Sequence, residues 1–229
     1  MDLYGQKSKS TPQKITIHLL EILLLMLSYW ILFQSGGDWC QRYLHIQNAT
    51  GNPVRRIIIF TFNMIIFLRL AYMMVFLLKR KIPWEESISV PLAFALYYIG
   101  FPLFVLPVSA PIDGLDYFGL ALFLTGCLLN TASEIKRDRW KKLPGHEGKM
   151  YTAGLFKYSR HINYFGDILW VTAYAILTKN GYAATIPIFL FCFFAFYNAP
   201  KLDNYLEKKY GEDYETYAKK TKMLIPFIY

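Results

Sequence analysis

Two stretches of the sequence decide the fold class: IIIFTFNMIIFLRLAYMMVFLL, residues 57–78, and ISVPLAFALYYIGFPLFVLPV, residues 88–108. Each is long enough to cross a bilayer, because a transmembrane helix needs about 20 predominantly apolar residues. Four more apolar segments bring the total to six: Ile15–Phe33, Leu115–Leu129, Ile162–Thr178 and Ala183–Ala199. Of the 229 residues, 55% are hydrophobic and 18% are charged, whereas a soluble domain has about 45–50% and roughly 25%. The sequence therefore predicts an all-α, multi-pass transmembrane helix bundle of about six spans and excludes a disordered chain, a coiled coil and a small disulfide scaffold.

The basic residues lie mostly on one side of these segments when both termini are placed in the cytoplasm. The net charge is +9, and lysine and arginine favour cytoplasmic loops. This orientation puts the basic run from Lys136 to Arg160 and the lysines after Lys201 inside, and it leaves Arg55 and Arg56 as a local exception outside. We therefore expect no nucleic-acid partner, and a bilayer environment that is a bacterial inner membrane or, in a eukaryote, the endoplasmic reticulum. The three cysteines are too few and too scattered for a zinc site, so we expect no metal.

Polar side chains inside the apolar segments are costly and mark candidate sites. A charged side chain at the centre of a membrane helix costs about 2.5–3.5 kcal/mol on insertion scales. Arg69 lies near the middle of its segment and needs a buried partner or a polar cavity, and Glu21 is a candidate partner. A buried ion pair that only fixes helix packing and an internal cavity with a polar lining are both open interpretations.

The segment KMYTAGLFKYSRHINYFGD, residues 149–167, carries the richest chemistry of the chain. Its arginine, Arg160, can hold phosphate in a bidentate fork. The rings of Tyr158 and Tyr164 offer faces for a planar group. A basic and aromatic segment at a membrane surface is also typical of an ordinary interfacial anchor, and composition alone does not separate the two interpretations.

Two pairs of polar residues are spaced four apart and would share one face of a helix. They are Asn163 with Asp167, and Asn130 with Glu134. Amide and carboxylate groups on one face can hydrogen-bond ribose or amide groups, although Asn130 also fits a helix-end cap. His161 follows Arg160 directly and can titrate near neutral pH.

The order and spacing of these motifs resemble the C-terminal domain of the steroid 5-alpha-reductases, especially its bacterial branch labelled as a domain of unknown function. The resemblance rests on GLFKY (154–158), NYFGD (163–167), NTASE (130–134), LPG (143–145) and the tail IPFIY (225–229). It covers roughly residues 120–229, which it identifies as the cofactor side, and leaves residues 1–119 as the substrate side. The wider superfamily includes sterol reductases and isoprenylcysteine carboxyl methyltransferases.

This resemblance implies an NADPH held by the cytoplasmic half and hydride transfer to a polarised carbon–carbon double bond. The implied substrate is lipid-soluble and steroid-, isoprenoid- or enone-like. The residues that match cofactor-binding positions of the motif are Asn130, Glu134, Tyr158, Asn163, Asp167 and Tyr205. Arg160 and His161 match an Arg-His pair of the sterol reductases and methyltransferases, and Tyr164 stands where the methyltransferases have a tyrosine.

The resemblance is weaker in the N-terminal half. The steroid enzymes have a tyrosine three residues before an arginine like Arg69, and here that position is Ile66. The tyrosines that can replace it are Tyr72, Tyr97 and Tyr98, with Glu21 as a remote candidate partner. Together with Arg69, these residues are the catalytic candidates. The adjacent tyrosines equally fit a helix-packing pair.

Two other functions stay open. One is an S-adenosylmethionine-dependent methyltransferase, which shares Arg160, His161, Tyr164 and Gly166 but usually has proline where this chain has Ile162. The other is a non-catalytic lipid-binding scaffold. The two four-apart pairs favour the reductase.

Overall fold

The computed structural model of the protein describes residues 8–45 and 51–229, and within these residues the regular structure is helical, with no strand. The prediction of an all-α protein is confirmed. The α-helices of this part of the chain are α1 (Thr11–Phe33), α2 (Gly36–Tyr43), α3 (Pro53–Tyr72), α4 (Trp84–Ala95), α5 (Phe101–Val105), α6 (Gly114–Lys141), α7 (Ile162–Leu177), α8 (Thr185–Phe193), α9 (Ala199–Tyr210) and α10 (Glu212–Lys220).

Five continuous helical stretches of the described residues are long and apolar enough to cross a membrane: Thr11–Phe33, Pro53–Leu77, Trp84–Val105, Gly114–Lys141 and Gly181–Tyr210. The remaining predicted segment, Ile162–Thr178, corresponds to helix α7, which has 16 residues. The predicted multi-pass helical bundle is confirmed, and the protein is an integral membrane protein. The apolar segment that ends at Leu129 continues as helix α6 to Lys141, so the basic sequence that follows extends the same helix.

Three of these stretches contain a π-helical turn. The turns are Met73–Leu77 after α3, Leu96–Gly100 between α4 and α5, and Phe194–Asn198 between α8 and α9. The second precedes Pro102, which lacks the backbone N–H that an α-helix would use at that position. Such turns redirect side chains and are frequent at functional sites.

The chain forms two compact units. Unit 1 comprises the described part of Met1–Gly119 together with Tyr174–Ala183, and unit 2 comprises Leu120–Ala173 and Ala184–Tyr229. In unit 1, α1 packs against α2, α3 and α4. In unit 2, Leu224 of the C-terminal tail packs against Phe194 and Ala195. The assignment of a substrate side and a cofactor side stays a prediction.

The structure accounts for the two arginines that depart from the charge pattern. Arg55 is fully buried in unit 1, where it forms an ion pair with the buried Asp116 and donates to the carbonyl of Leu177 at 2.8 Å. Arg56 donates to the carbonyl of Leu32 at 3.1 Å. The charge of Arg55 is therefore compensated within the protein, and Arg56 is hydrogen-bonded to the last turn of α1.

Candidate functional site

Two glycines in unit 2 bring helices α6 and α7 into backbone contact. A Cβ atom added to Gly166 would lie 2.7 Å from the carbonyl oxygen of Gly126 and 2.8 Å from the backbone nitrogen of Asn130. Small residues at a helix crossing allow this close approach. The contact places the Asn130 side chain directly against α7.

The close crossing joins the two predicted polar pairs into one hydrogen-bonded network. Asn130 Nδ2 donates to Asp167 Oδ1 at 2.8 Å and to the carbonyl of Asn163 at 3.1 Å. Asn163 Nδ2 in turn donates to Glu134 Oε1 at 3.0 Å. Trp170 Nε1 also donates to Asp167 Oδ1, at 2.7 Å. Each member is held by another, so the network is rigid and presents amide and carboxylate groups along one face.

A second cluster in unit 2 is centred on Asp203 of α9. Arg160 Nη2 donates to Asp203 Oδ2 at 2.9 Å, and His161 Nε2 lies 2.8 Å from Asp203 Oδ1. Because a carboxylate only accepts, this contact makes Nε2 the protonated nitrogen of the ring. Burial, and then a hydrogen bond to Asp203, raises the pKa of Tyr214 above its ordinary value.

The rest of the Arg160 guanidinium is also bound within the protein. Its Nη1 donates to the carbonyls of Thr221 at 2.6 Å and Ala218 at 3.1 Å, at the end of α10. Arg160 therefore ties the C-terminal helices to the segment that precedes α7. Few of its N–H groups therefore remain available to bind a phosphate.

A cavity of about 80 Å³ lies in unit 2 between these clusters. Its lining combines three cationic side chains with aromatic rings: Arg137, Lys141, Arg160, Tyr151, Phe156, Tyr210 and Tyr217, beside His161 and Asn163. Arg137 pairs with Glu134 of the network, and burial raises the pKa of Tyr217 above its ordinary value. Small-molecule sites usually have about 300–1,000 Å³, so a nucleotide requires the lining side chains to move apart.

Several lining residues were not among the sequence candidates. Arg137 and Lys141 lie three and seven residues after Glu134, on the same helical face, so extending that face along α6 would have identified both. Asp203 is 42 residues from His161, and no local pattern connects the two.

Of the nine predicted cofactor residues, three line the cavity: Arg160, His161 and Asn163. Asn130, Glu134 and Asp167 do not line it and belong to the network that holds Asn163. Tyr158, Tyr164 and Tyr205 lie elsewhere in unit 2. Tyr164 stacks between His161 and Phe194, with ring centroids 5.2 and 4.5 Å away. Tyr158 is 38% exposed and lies under the Lys157 ammonium. The Tyr205 hydroxyl accepts a long hydrogen bond from a lysine of α9, at 3.5 Å.

Unit 1 holds a separate polar cluster formed by three of the predicted catalytic residues. Glu21 of α1 and Tyr98 of the π-helical turn Leu96–Gly100 are both fully buried. The charges of Glu21 and Arg69 both act on the Tyr98 hydroxyl. Among the described residues, no group meets hydrogen-bond geometry with either Glu21 oxygen or with the Tyr98 hydroxyl. The Glu21 carboxyl and the Tyr98 hydroxyl nevertheless lie close enough to interact. Because buried polar oxygens normally have well-formed hydrogen bonds, this pair retains part of its hydrogen-bonding capacity.

The other polar candidates of unit 1 have different surroundings. Tyr97 packs against aromatic rings and stacks on Phe101 with centroids 6.3 Å apart, and Tyr72 is 40% exposed. Asn63 donates to Ser28 Oγ at 2.9 Å and accepts from the Tyr174 hydroxyl at 2.8 Å. The structure therefore brings Glu21, Arg69 and Tyr98 together and leaves Tyr72 at the surface.

Several named proteins are similar to part of this sequence, among them the following three. The chain is 38% identical over 85 residues to Delta(14)-sterol reductase erg24 of Schizosaccharomyces pombe, covering 35% of this chain and 20% of that protein. It is 35% identical over 112 residues to human 3-oxo-5-alpha-steroid 4-dehydrogenase 1, covering 48% and 41%. It is 34% identical over 92 residues to the probable O-methyltransferase ustE of Ustilaginoidea virens, covering 40% and 32%. The chain thus spans less than half of each relative's length.

The family match is more extensive than these pairwise matches. The family model described as "Protein of unknown function (DUF1295)" matches residues 86–221. This range contains the polar network, the Asp203 cluster and Tyr98, and it confirms the resemblance that the motifs predicted. Because the match covers more than half of the chain, the protein belongs to the DUF1295 family, a steroid 5-alpha-reductase-like family of integral membrane proteins.

Proposed function

We propose that this protein is a membrane-embedded, NADPH-dependent reductase of a polarised carbon–carbon double bond in a lipid-soluble substrate. The observation that carries the proposal is the cavity of unit 2, where three cations and four aromatic rings stand beside the network of Asn130, Asn163, Glu134 and Asp167. Two of the relatives are by name a sterol reductase and a steroid dehydrogenase, which supports the same class of reaction.

The residues of this cavity fit the parts of a phosphorylated dinucleotide. Lys141 and Arg137 would hold its phosphates. Arg137 pairs with Glu134 through one nitrogen, whereas Arg160 is bound to Asp203 and to two carbonyls. The amide of Asn163 would hydrogen-bond ribose or carboxamide groups. When bound, NADPH supplies the hydride. The protein supplies binding and orientation.

The cluster of unit 1 suits the activation of the substrate. A hydroxyl such as that of Tyr98 can donate a hydrogen bond to a substrate carbonyl, and Arg69 adds positive charge nearby. Donors placed where negative charge develops are usually a large contribution to catalysis. Glu21 would receive or hold a proton at its carboxyl group. The substrate class that follows is an enone-like lipid, whose carbonyl polarises the double bond.

A methyltransferase is the second candidate, because one relative is by name a probable O-methyltransferase. The shared residues are Arg160, His161 and Tyr164. In this structure, however, the first two bind Asp203 and the third stacks within the protein. The cations and aromatic rings of the cavity, together with the two relatives named as a reductase and a dehydrogenase, therefore favour a dinucleotide over S-adenosylmethionine. A non-catalytic scaffold is the third candidate.

Ligand-induced stabilisation of the detergent-purified protein tests these three functions side by side. A ligand that binds only the folded state stabilises it by about 2.7 kcal/mol at 100 times its Kd. We expect NADPH to raise the melting temperature and NADH and S-adenosylmethionine to have smaller effects. Stabilisation by S-adenosylmethionine alone would support methyl transfer, and no response to any of the three would support the scaffold.

Variants locate the site of that response. We expect Asn163→Ala and Asp167→Ala to reduce the NADPH-induced shift relative to each variant's own melting temperature. Asn204→Ala, at an exposed position of α9, is the matched control and should keep the full shift. Equal shifts in all three variants would contradict the assignment of the site.

A further inference from the structure

Unit 1 contains an open groove of about 840 Å³ that the proposed function does not use. It lies between the first turns of α1 and the end of the Pro53–Leu77 stretch. Its volume is within the range of about 300–1,000 Å³ that is typical of small-molecule sites. One wall is apolar, with Ile15, Leu19 and Val75 more than half exposed.

Lys14 is fixed within this groove by the π-helical turn Met73–Leu77. Its Nζ donates to the carbonyls of Met74 at 2.5 Å and Leu78 at 2.8 Å. Carbonyls at a helix C-terminus lack intrahelical donors, so the ammonium group completes their hydrogen bonding. An ammonium group has three N–H donors, and two of them are used here. The third donor and the positive charge are therefore held in a defined position.

The polar rim of the groove carries one sign of charge. Lys9 and Lys79 accompany Lys14, the hydroxyl residues Ser8 and Thr11 lie beside them, and the described lining residues include no aspartate or glutamate. A cluster of basic groups next to an apolar wall is complementary to an anionic amphiphile. A soluble anion would leave the apolar wall without a partner.

We propose that this groove binds one anionic glycerophospholipid. Its phosphate contacts Lys14 between Lys9 and Lys79, and an acyl chain lies along Ile15, Leu19 and Val75. The position fits this ligand because both walls are the ends of membrane-length helices, which is the depth at which lipid headgroups lie. The site is independent of the proposed reductase activity.

Lipid retention by the full-length, detergent-purified protein tests the proposal. Native mass spectrometry would measure binding of phosphatidylglycerol and of phosphatidylcholine with identical acyl chains, with inorganic phosphate as competitor. Near a membrane surface each lysine contributes roughly fivefold to the binding of an anionic lipid. We expect one phosphatidylglycerol to bind at least about tenfold more tightly than phosphatidylcholine, and inorganic phosphate not to displace it.

Variants separate this site from general attraction to a basic surface. Lys9→Gln with Lys79→Gln should weaken the binding of phosphatidylglycerol by about tenfold or more, and it leaves the two carbonyl contacts of Lys14 intact. Lys81→Gln with Lys208→Gln, both exposed and outside the groove, removes the same charge and should leave binding unchanged. Equal weakening in both double variants, equal retention of the two lipids, or displacement by phosphate would overturn the proposal.

Discussion

A single methyl group at Gly166 tests whether the crossing of α6 and α7 holds the candidate cofactor site together. In Gly166→Ala the new Cβ would lie 2.7 Å from the carbonyl oxygen of Gly126 and 2.8 Å from the backbone nitrogen of Asn130. Both are backbone atoms, so no rotation of a side chain relieves the contact. Since ordinary contacts begin near 3.4 Å, the two helices must separate by about 0.7 Å. The same displacement would lengthen the 2.8 Å hydrogen bond from Asn130 Nδ2 to Asp167 Oδ1 to about 3.5 Å, which is the limit of a hydrogen bond.

The expected cost follows from three contributions. Overpacking costs about 1–3 kcal/mol, and loss of a hydrogen bond to a charged group costs about 1.5–3 kcal/mol. Alanine has a higher helix propensity than glycine, and this difference offsets about 1 kcal/mol of the destabilisation. The net destabilisation is about 1.5–5 kcal/mol, which for a chain of this size lowers the melting temperature by at least about 3 °C.

Thermal denaturation in detergent, with and without NADPH, measures both consequences. Gly166→Ala should melt earlier and lose the NADPH-induced shift. Gly114→Ala is the matched control, because it makes the same change on α6 at a position where a Cβ meets nothing within 4 Å. If the two variants melt alike and bind NADPH alike, the crossing does not position the site and the reasoning is refuted.

Three further predictions concern unit 1. Asp116→Asn removes the charge that compensates a fully buried arginine, so we expect a loss of about 3–5 kcal/mol and an early thermal transition. The hydrogen bond to Lys179 lowers the pKa of Asp113, so its stabilising effect is present above the unfolded-state carboxyl pKa and is lost as the pH falls through the folded-state value. In Asp113→Asn, the melting temperature should therefore depend less on pH below about pH 4. The same pH dependence as in the wild-type protein would contradict this prediction. Tyr98→Phe removes a buried hydroxyl that contacts Glu21 without good hydrogen-bond geometry. It should therefore destabilise the protein less than Tyr174→Phe, which leaves the Asn63 oxygen unpaired and should cost about 1–3 kcal/mol; equal melting temperatures of these two variants would be inconsistent with the structure.

The sequence predicted those features that depend on neighbouring residues. The six apolar segments were found because the cost of exposing the backbone and polar groups to lipid acts on every residue of a span. The pairs formed by Asn130 with Glu134 and by Asn163 with Asp167 were found because helical spacing alone places their members on one face. Neither inference requires knowledge of the tertiary structure.

The features that the sequence did not predict depend on contacts between distant residues. The Tyr174 hydroxyl and Asn63 are 111 residues apart in the chain, and Arg160 is 43 residues from Asp203. The sequence left open which of Tyr72, Tyr97 and Tyr98 has Glu21 as its partner, and the fold brings Glu21 to Tyr98. The motif that contains Arg160 predicted a phosphate ligand, and the structure shows a guanidinium that is largely bound by the protein itself.

The two polar clusters differ in how completely the protein satisfies them, and this difference bears on their roles. In unit 2, the side chains of Asn130, Asn163 and Asp167 all have partners within the network. Such a network can keep a defined shape without a ligand. A site that binds and releases the same cofactor in every catalytic cycle requires this property. In unit 1, the oxygens of Glu21 and Tyr98 are buried and lie near each other, but within the described residues they form no hydrogen bond of good geometry.

Burial of polar groups with incomplete hydrogen bonding costs free energy, so we infer that the remaining capacity of Glu21 and Tyr98 is used in another state of the protein. A substrate carbonyl that accepts from Tyr98 would use it. The same reasoning predicts that a ketone-bearing lipid raises the melting temperature of the wild-type protein and has a much smaller effect on Tyr98→Phe. A lipid hydrocarbon of the same size, which cannot accept a hydrogen bond, should not distinguish the two proteins. If the ketone stabilises both equally, the unused capacity of Tyr98 does not serve the substrate.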